Sequence, residues 1–347
     1  MKERITIVEI AKMANVSTAT VSRIINNIGT VSEAKRKKVL EIIDQYDYQP
    51  NQIAKALKVS RSNTVGFIVP HINSPFYAEL FYETELCAQK HGYTLILCNS
   101  ESNKDLESNI LKEFIAANVR AIVFMGGRLD DLHIRRDFLD EIEHTNQTIP
   151  VISGVAVPEL QCIQIYQNEE KSSCDLLKHL AERGFTDVSL LGGQSNVRTT
   201  KRRREQFLNN AERYGISIRE EVIDSDYSIE GGALAMRELL GKGSLPQAII
   251  CINDLVATGV LSVSQECGIG VPEDIAVIGF DNLLFSPYIF RGVTTIACNY
   301  SKYAEHIVDA IDRIDELDRH TVVEVPTSFI IRGTTDAARA DITLGRL

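Results

Sequence analysis

Residues 17–23 read Ser-Thr-Ala-Thr-Val-Ser-Arg, so one short stretch combines hydroxyl, methyl and guanidinium groups. Hydroxyls hydrogen-bond to phosphates or base edges, an alanine methyl contacts the thymine methyl, and arginine grips guanine in the major groove. The stretch is therefore predicted to contact DNA. The alternative is that these residues only form the solvated face of a small helical module.

The basic residues of the chain are unevenly distributed. The formal net charge is −10, which by itself disfavours a nucleic-acid binder. Residues 1–63, however, hold eleven Lys and Arg against six Asp and Glu, whereas the remainder holds 26 against 41. A basic head on an acidic body concentrates phosphate affinity at one end of the chain.

Three short helices are predicted to position the basic stretch. The segment Thr6–Glu9 fits a capping box, and apolar residues follow it at helical spacing. Ser17 offers the N-cap of a second helix that extends to Asn26, and Ser32 offers that of a third, which runs to about Tyr46. Two helices joined by a tight turn match the helix-turn-helix plan, with the second helix in the recognition position.

From residue 64 onward, short apolar runs alternate with amphipathic segments, which predicts parallel sheets with helices on both faces. The predicted strands are 65–69, 94–98, 121–124, 151–152, 163–165, 188–191, 222–224, 248–252 and 275–280. The predicted helices are 77–90, 105–117, 172–183, 202–214, 231–240 and 255–267.

Ligands of such sheets bind beyond the carboxyl ends of the strands. In this chain those positions are rich in amides, hydroxyls and carboxylates, with aromatic rings beside them. They include Asn73, Phe76, Tyr77, Met125, Thr199, Tyr227, Asn253 and Asp281. Polar groups that bond hydroxyls, next to a ring that stacks on an apolar face, suit a sugar or a similar polyol.

Catalytic and metal-binding patterns are absent from the sequence. There is no GxSxG elbow, complete P-loop or dinucleotide loop, and the seven histidines form no i, i+4 pair. We therefore expect no enzymatic activity, cofactor or metal site. No apolar run approaches the roughly 20 residues of a membrane helix, the start lacks a signal-peptide pattern, and the scattered cysteines favour buried, reduced thiols. These features predict a cytoplasmic protein without membrane contact.

A long, ordered series of residues resembles the head of the lactose/galactose repressor family. The matching segments are Ile7–Asn26, Val31-Ser32, Val39-Leu40 and Tyr48–Asn51. The resemblance extends over nearly the whole chain. It implies an all-α three-helix head, a hinge helix, and an α/β core of two doubly wound parallel-sheet lobes similar to periplasmic sugar-binding proteins.

The same resemblance implies that the hinge helix folds in the DNA minor groove, where Leu57 wedges between the central base pairs. The alternative is that Leu57 packs against the core. The full predicted set of DNA contacts is Thr6, Ser17, Thr18, Ala19, Thr20, Ser22, Arg23, Asn26, Asn51, Ala54, Leu57 and Lys58.

The resemblance also implies effector roles in the core. Arg203 matches the arginine of an Arg-x-x-Gly-Phe motif, although Gln206 replaces the glycine, and Asp281 matches the effector-binding aspartate. The other matches are Phe76, Tyr77, Tyr227 and the pair Asn253-Asp254. Three structural alternatives stay open: Asp254 only caps its helix, Tyr77 belongs to the core, or Arg203 lies on a solvated basic face.

One departure concerns the ligand. Many family members carry a charged ligand contact after the strand at 151–152, whereas this chain has Ser153-Gly154. Phosphorylated effectors are therefore neither favoured nor excluded by the sequence.

The predicted organisation has four parts: a head at 1–49, a hinge and linker at 50–63, a first lobe at 64–159 plus 293–321, and a second lobe at 160–292 plus 322–347. The chain is expected to cross between the lobes near 158–161, 290–294 and 320–323. The predicted function is a sequence-specific transcription regulator, a repressor, controlled by a sugar or sugar derivative bound between the lobes. A homodimer on a pseudo-palindromic double-stranded operator is expected, because the end of the chain lacks a tetramerising heptad pattern. The alternative is a sugar-binding transport or chemotaxis protein.

Overall fold

The computed structural model describes residues 5–25, 31–46, 62–219 and 223–339 of the 347-residue chain. The chain divides into two compact units, Met1–Ser62 and Asn63–Leu347. The division falls at the end of the segment expected to act as the linker.

The described residues of the first unit form three helices, α1 (Ile7–Ala14), α2 (Thr18–Ile25) and α3 (Glu33–Gln45). Their apolar faces meet in a small core in which Ile10 and Val39 are fully buried. Because all three helices are short, this shared core, rather than intrinsic propensity, stabilises them.

Local hydrogen bonds set the start of each helix. The Glu9 amide donates to Thr6 Oγ1 at 3.3 Å and the Thr6 amide to Glu9 Oε2 at 2.7 Å, which confirms the capping box. Ser17 Oγ accepts from the Thr20 amide at 3.1 Å. Ser32 is the N-cap residue of α3, as expected, and its carbonyl accepts the amides of Lys35 and Arg36, but its hydroxyl makes no cap hydrogen bond.

The second unit contains two six-stranded sheets, each covered by helices on both faces. The strands of the first sheet lie in the order β11-β5-β4-β3-β1-β2 and are all parallel. The elements of this lobe are β1 (Thr64–Val69), α4 (Pro75–Lys90), β2 (Thr94–Asn99), α5 (Lys104–Ala116), β3 (Ile122–Phe124), the 3₁₀ turn Gly127–Asp130, α6 (Arg136–Thr148), β4 (Val151–Ser153), β5 (Ile163–Asn168), α11 (Tyr300–Asp312) and β11 (Val322–Pro326).

The second sheet has the order β12-β10-β9-β8-β6-β7 and is parallel except for the antiparallel pair β10–β12. Its lobe contains α7 (Glu170–Glu182), β6 (Asp187–Leu191), α8 (Arg198–Asn210), the 3₁₀ turn Ala211–Tyr214, β7 (Ser217–Ile218), α9 (Ile229–Gly241), β8 (Ala248–Cys251), α10 (Asp254–Glu266), β9 (Ala276–Asp281), β10 (Thr294–Ala297) and β12 (Ser328–Ile330). Strands β8 and β9 are buried along their whole length, as expected for strands covered on both faces.

The lobe boundaries differ from the expected ones. Strand β5 pairs with the first sheet rather than the second, β10 with the second rather than the first, and β11 with the first rather than the second. In each case the strand completes its ladder in the sheet it is about to leave. The chain therefore crosses between Asn168 and Glu170, between Ala297 and Tyr300, and at Thr327.

The three crossings bring α11 onto the first sheet. Tyr303 on α11 is 1% exposed, and its hydroxyl donates to the carbonyls of Gly154 at 2.9 Å and Ile165 at 2.6 Å. One side chain thus ties the helix to the chain just after β4 and to β5.

Two further expectations can be compared with the structure. All seven cysteines are free, but only Cys162, Cys251 and Cys298 are buried, and Cys267 is exposed. Within the described ranges, no helix is both long and apolar enough to cross a membrane.

We predict that Tyr303→Phe lowers the free energy of unfolding by about 1–3 kcal/mol, because two buried carbonyls lose their hydroxyl donor while the ring is kept. Urea unfolding followed by circular dichroism measures this change. Tyr288→Phe removes the same hydroxyl from an exposed position in the loop between β9 and β10 and serves as the control. Equal stability of both variants would show that the Tyr303 hydroxyl contributes nothing.

Candidate DNA-reading head and ligand cavity

Four of the predicted DNA contacts are exposed on the second helix of the head or directly before it. Ser17, Thr18, Ala19 and Arg23 are exposed, and Thr20 is partly buried. The left-handed conformation of Asn15, at φ 56°, ends α1 and allows the tight turn into α2.

The other predicted DNA contacts are placed differently. Ser22 is partly buried on α2, and Thr6 is engaged in the capping box of α1. Five predicted contacts lie outside the described residues: Asn26, Asn51, Ala54, Leu57 and Lys58.

A cavity of about 750 Å³ lies between the two lobes of the core, at the carboxyl ends of both sheets. It is lined by all nine residues that the sequence nominated for ligand binding, namely Asn73, Phe76, Tyr77, Met125, Thr199, Arg203, Tyr227, Asn253 and Asp281. The structure therefore brings together residues that are separated by more than 200 positions in the chain.

Arg203 forms the floor of this cavity and is 8% exposed. Its Nε donates to Glu169 Oε1 at 2.8 Å, its Nη1 to the Ile252 carbonyl at 2.8 Å, and its Nη2 to Asp281 Oδ1 at 3.4 Å. The guanidinium carbon lies 4.5 Å from the centroid of the Phe280 ring. The alternative that Arg203 belongs to a solvated face is wrong, because its charge is enclosed by acceptors.

Asp281 stands at the end of β9 with φ 91°, a conformation that L side chains rarely adopt. Such strain persists only where surrounding contacts enforce it, and it clusters at functional sites. Burial raises the pKa of Asp281 to about 6; the charge of Arg203 opposes this rise, and that of Glu169 adds to it. Asp281 is thus an ionisable acceptor at the cavity floor.

Asp130 connects the two lobes. It comes from the 3₁₀ turn after β3 in the first lobe, and its Oδ1 accepts the amide and the hydroxyl of Thr199, both at 2.8 Å, in the first turn of α8. Next to this contact, the Leu132 amide donates to the Asn196 carbonyl at 2.8 Å. Burial raises the pKa of Asp130 to about 6, although the bonds from Thr199 lower it.

Aromatic side chains form the walls of the cavity. Phe76 and Tyr77 pack edge to face with ring centroids 5.2 Å apart, and Tyr227 shares a 2.8 Å hydrogen bond with Thr200. A Cβ on Gly126 would lie 2.8 Å from the Tyr77 hydroxyl, so the glycine leaves room for that ring. Burial raises the pKa of Tyr77, which keeps its phenol neutral. Tyr77 therefore lines the cavity while also packing against the core of the first lobe.

Asn253 and its neighbour Asp254 have separate roles. Asn253 Oδ1 accepts the Val256 amide at 2.8 Å and caps α10, while its Nδ2 donates to the Tyr227 carbonyl at 3.0 Å. Asp254 is fully buried and accepts from Leu283, Ser286 and Thr295. Asp254 therefore holds the loop after β9 rather than capping its helix, and burial raises its pKa to about 7.

The cavity residues that sequence reasoning missed include Asp130, Tyr166, Glu169 and Arg202. Tyr166 and Glu169 lie at or just beyond the polar end of β5, a strand that was expected to end at Ile165, and Arg202 lies on α8 beside Arg203. Asp130 follows Met125 after β3, in a turn without a repeating pattern. Within the described part of the chain, no group of His, Cys, Asp and Glu is arranged to hold a metal ion.

Comparisons with known proteins agree with this architecture. Residues 6–51 match the family described as bacterial regulatory proteins, lacI family, and residues 177–335 match the periplasmic binding protein-like domain. The transcriptional repressor PurR of Photobacterium profundum is 31% identical over 94% of this chain and 97% of its own length. Catabolite control protein A of Priestia megaterium is 30% identical over 84% of this chain and 86% of its own.

The chain belongs to the lacI family of bacterial regulatory proteins. It is therefore a DNA-binding transcription regulator, and the alternative of a transport receptor is not supported. Among solved structures, the lac repressor dimer bound to operator and the anti-inducer ONPF superposes with a TM-score of 0.86 at 22% identity, over 96% of this chain and 99% of the other. The regulator CelR in complex with cellobiose gives a TM-score of 0.67 at 23% identity, over 95% and 100%. Both likenesses show the same fold.

We predict that Asp281 makes stability fall as pH rises from about 4 to about 7. Its pKa in the folded chain is about 6 rather than 3.8, so between these values the folded state binds more protons than the unfolded state. The free energy of unfolding relative to Asp281→Asn should therefore decrease across this window, by at most about 2–3 kcal/mol.

Urea unfolding of both proteins at several pH values measures the difference. Asp309→Asn, which neutralises an exposed aspartate on α11, is the control and should run parallel to the wild type. A wild type that gains stability relative to Asp281→Asn as pH rises would contradict the raised pKa.

Proposed function

We propose that the chain is a repressor whose operator affinity is set by a small hydroxylated molecule, a sugar or sugar derivative, bound in the cavity between the lobes. The head supplies the DNA-contacting surface of α2 and the core supplies the ligand site. We further propose that the chain has no catalytic activity and acts in the cytoplasm.

The observation that carries this proposal is the composition of the cavity. Acceptors at its floor, such as Asp281, face aromatic walls that include Tyr77 and Tyr227. A sugar offers hydroxyl donors at its rim and apolar C–H faces to stack on rings, so this pairing of groups fits it. The CelR structure is described as a cellobiose complex, which supports a carbohydrate in the equivalent core.

We propose that the working unit is a homodimer on a pseudo-palindromic operator. The lac repressor structure is described as a dimer bound to operator, and this chain shares its fold. Strand β2 is an edge strand that carries Ile96, and the neighbouring α4 carries Tyr82 and Leu86, all exposed apolar side chains. An apolar face beside an unpaired edge favours burial against a second copy.

Ligand binding changes DNA affinity only through a difference in ligand affinity between two states of the core. A coupling of roughly 1–3 kcal/mol corresponds to a change in operator affinity of about 5- to 150-fold. A thermal-shift screen of the full chain against sugars, sugar phosphates and nucleobases finds the ligand. Operator titration with and without that ligand then measures the coupling. An operator affinity that is the same with and without every bound ligand would refute the proposed regulation.

Asp281→Ala should abolish the effector response and leave operator affinity near normal, because the bound ligand loses a buried acceptor. Calorimetric titration of the ligand and gel-shift titration of the operator measure the two effects separately. Asp309→Asn again serves as the control. An unchanged ligand dissociation constant in Asp281→Ala would place the ligand site elsewhere.

Leu57→Ala should weaken operator binding and leave ligand binding intact, if this leucine wedges between base pairs as the family resemblance implies. Arg23→Ala should also weaken it, by about 1–3 kcal/mol, and should relax sequence preference at one base pair. Fluorescence anisotropy on operator and scrambled DNA measures both effects. Arg313→Ala, an exposed arginine of the core, is the control. Full operator affinity in Leu57→Ala or in Arg23→Ala would show that the substituted residue does not contribute to DNA binding.

A further inference from the structure

The cavity contains more carboxylates than cations. Its lining includes two arginines, Arg202 and Arg203, against five carboxylates, Asp130, Glu169, Asp226, Glu230 and Asp281. The formal excess is three negative charges. Such a field disfavours an anion and favours a neutral or cationic ligand.

Arg203 is the cation at the floor, and it is already engaged. Glu169 Oε1 lies 2.8 Å from its Nε and 2.7 Å from its Nη2, and the Ile252 carbonyl accepts from its Nη1 at 2.8 Å. Glu169 is 1% exposed, so water screens this pair little. A phosphate or carboxylate would have to displace Glu169 to reach the guanidinium.

Three carboxylate oxygens around the cavity accept no hydrogen bond from the described part of the chain, and one of them is buried. Oε2 of Glu169 is buried and accepts no hydrogen bond from the described part of the chain. Within the same ranges, Oδ2 of Asp281 and Oδ2 of Asp130 have no donor either, since all bonds to these side chains go to Oδ1. Hydroxyl and ammonium groups supply donors, whereas the dianion of a phosphate monoester supplies only acceptors.

Arg202 is the remaining cation of the lining. Its Nη2 donates to the Gln167 carbonyl at 3.1 Å, and its guanidinium carbon lies 5.1 Å from the centroid of the Tyr166 ring. Its Nε is buried and donates no hydrogen bond within the described part of the chain. One arginine held in this way leaves the negative excess of the cavity in place.

We propose that Glu169 makes the cavity selective for neutral or amine-bearing hydroxylated ligands, and against phosphorylated or carboxylated ones, by occupying the guanidinium of Arg203. The inference rests on the cavity being the ligand site proposed above. It goes beyond the sequence, which left phosphorylated effectors open.

The test is a calorimetric titration of the full chain with inorganic phosphate at about pH 7.5, where phosphate is largely the dianion. The wild type should show no binding up to about 10 mM. Glu169→Gln, which keeps the shape and removes the charge, should release Arg203 and bind phosphate at least about tenfold more tightly. Glu170→Gln removes the same charge from the exposed neighbouring residue and should behave as the wild type.

Asp281→Asn is a second variant that should bind phosphate, because it removes the other carboxylate partner of Arg203. Circular dichroism verifies the fold of each variant. Phosphate binding to the wild type that is unchanged in Glu169→Gln would overturn the proposal and would indicate an anion site at Arg202. The proposal would also be overturned if Glu169→Gln and Asp281→Asn both fold and neither binds phosphate.

Operator titration in the same samples separates the two proposals. If Glu169→Gln gains phosphate binding while no cavity ligand alters operator affinity, the charge selectivity holds and the proposed regulation fails. If a ligand alters operator affinity through the cavity while the wild type binds phosphate there, the regulation holds and the selectivity fails.

Discussion

The buried guanidinium of Arg203 is the interaction on which the core of this regulator depends. Removing a cation from water costs several kcal/mol, and only close, well-directed acceptors offset that cost. Here the acceptors come from three separate places: Glu169 at the first crossing between the lobes, the Ile252 carbonyl after β8, and Asp281 after β9. Breaking one of these contacts leaves a charge buried without its partner. The start of α7 and the carboxyl ends of β8 and β9 are therefore held in one arrangement at the floor of the cavity.

A contact between the two lobes crosses the same cavity, and it is weaker in kind than the Arg203 network. Asp130 caps the first turn of α8 across the lobe boundary, where a helix N-terminus favours a negative charge. It is a pair of hydrogen bonds to one oxygen, without a paired cation. Relative motion of the lobes would break this contact while the Arg203 network stays intact, because α8 carries Arg203 with it. A ligand that contacts both Asp130 and Asp281 therefore links the contact between the lobes, which their relative motion would break, to the Arg203 network, which that motion would leave intact.

The parts that sequence predicted well are those set by local chemistry or by a topological rule. The capping box of Thr6 and Glu9 involves only four residues, so it could be recognised without knowing the fold. Eight of the nine cavity residues followed from the rule that parallel strands present ligands at their carboxyl ends, which needs only approximate strand positions, and Arg203 came from the family resemblance. Glu169 was missed because β5 continues through the polar residues Tyr166 to Asn168, past the apolar run that predicted it. The lobe crossings were misplaced because their positions depend on which sheet each strand pairs with. For β10 and β11 that pairing is determined by contacts distant in sequence.

Charge in the cavity and motion of the lobes are linked through the unpaired oxygen of Glu169. Oε2 of Glu169 is buried without a donor among the described residues, and a buried acceptor that has lost its water makes the arrangement that buries it less favourable. A ligand that supplies a donor to Glu169 removes this cost in that arrangement, and not in one where water reaches the same oxygen. A ligand can shift the equilibrium between two states of the core only through such a difference in its binding free energy for the two states. The carboxylate that excludes an anion is thus also the group that lets a hydroxylated ligand favour one state of the core over the other.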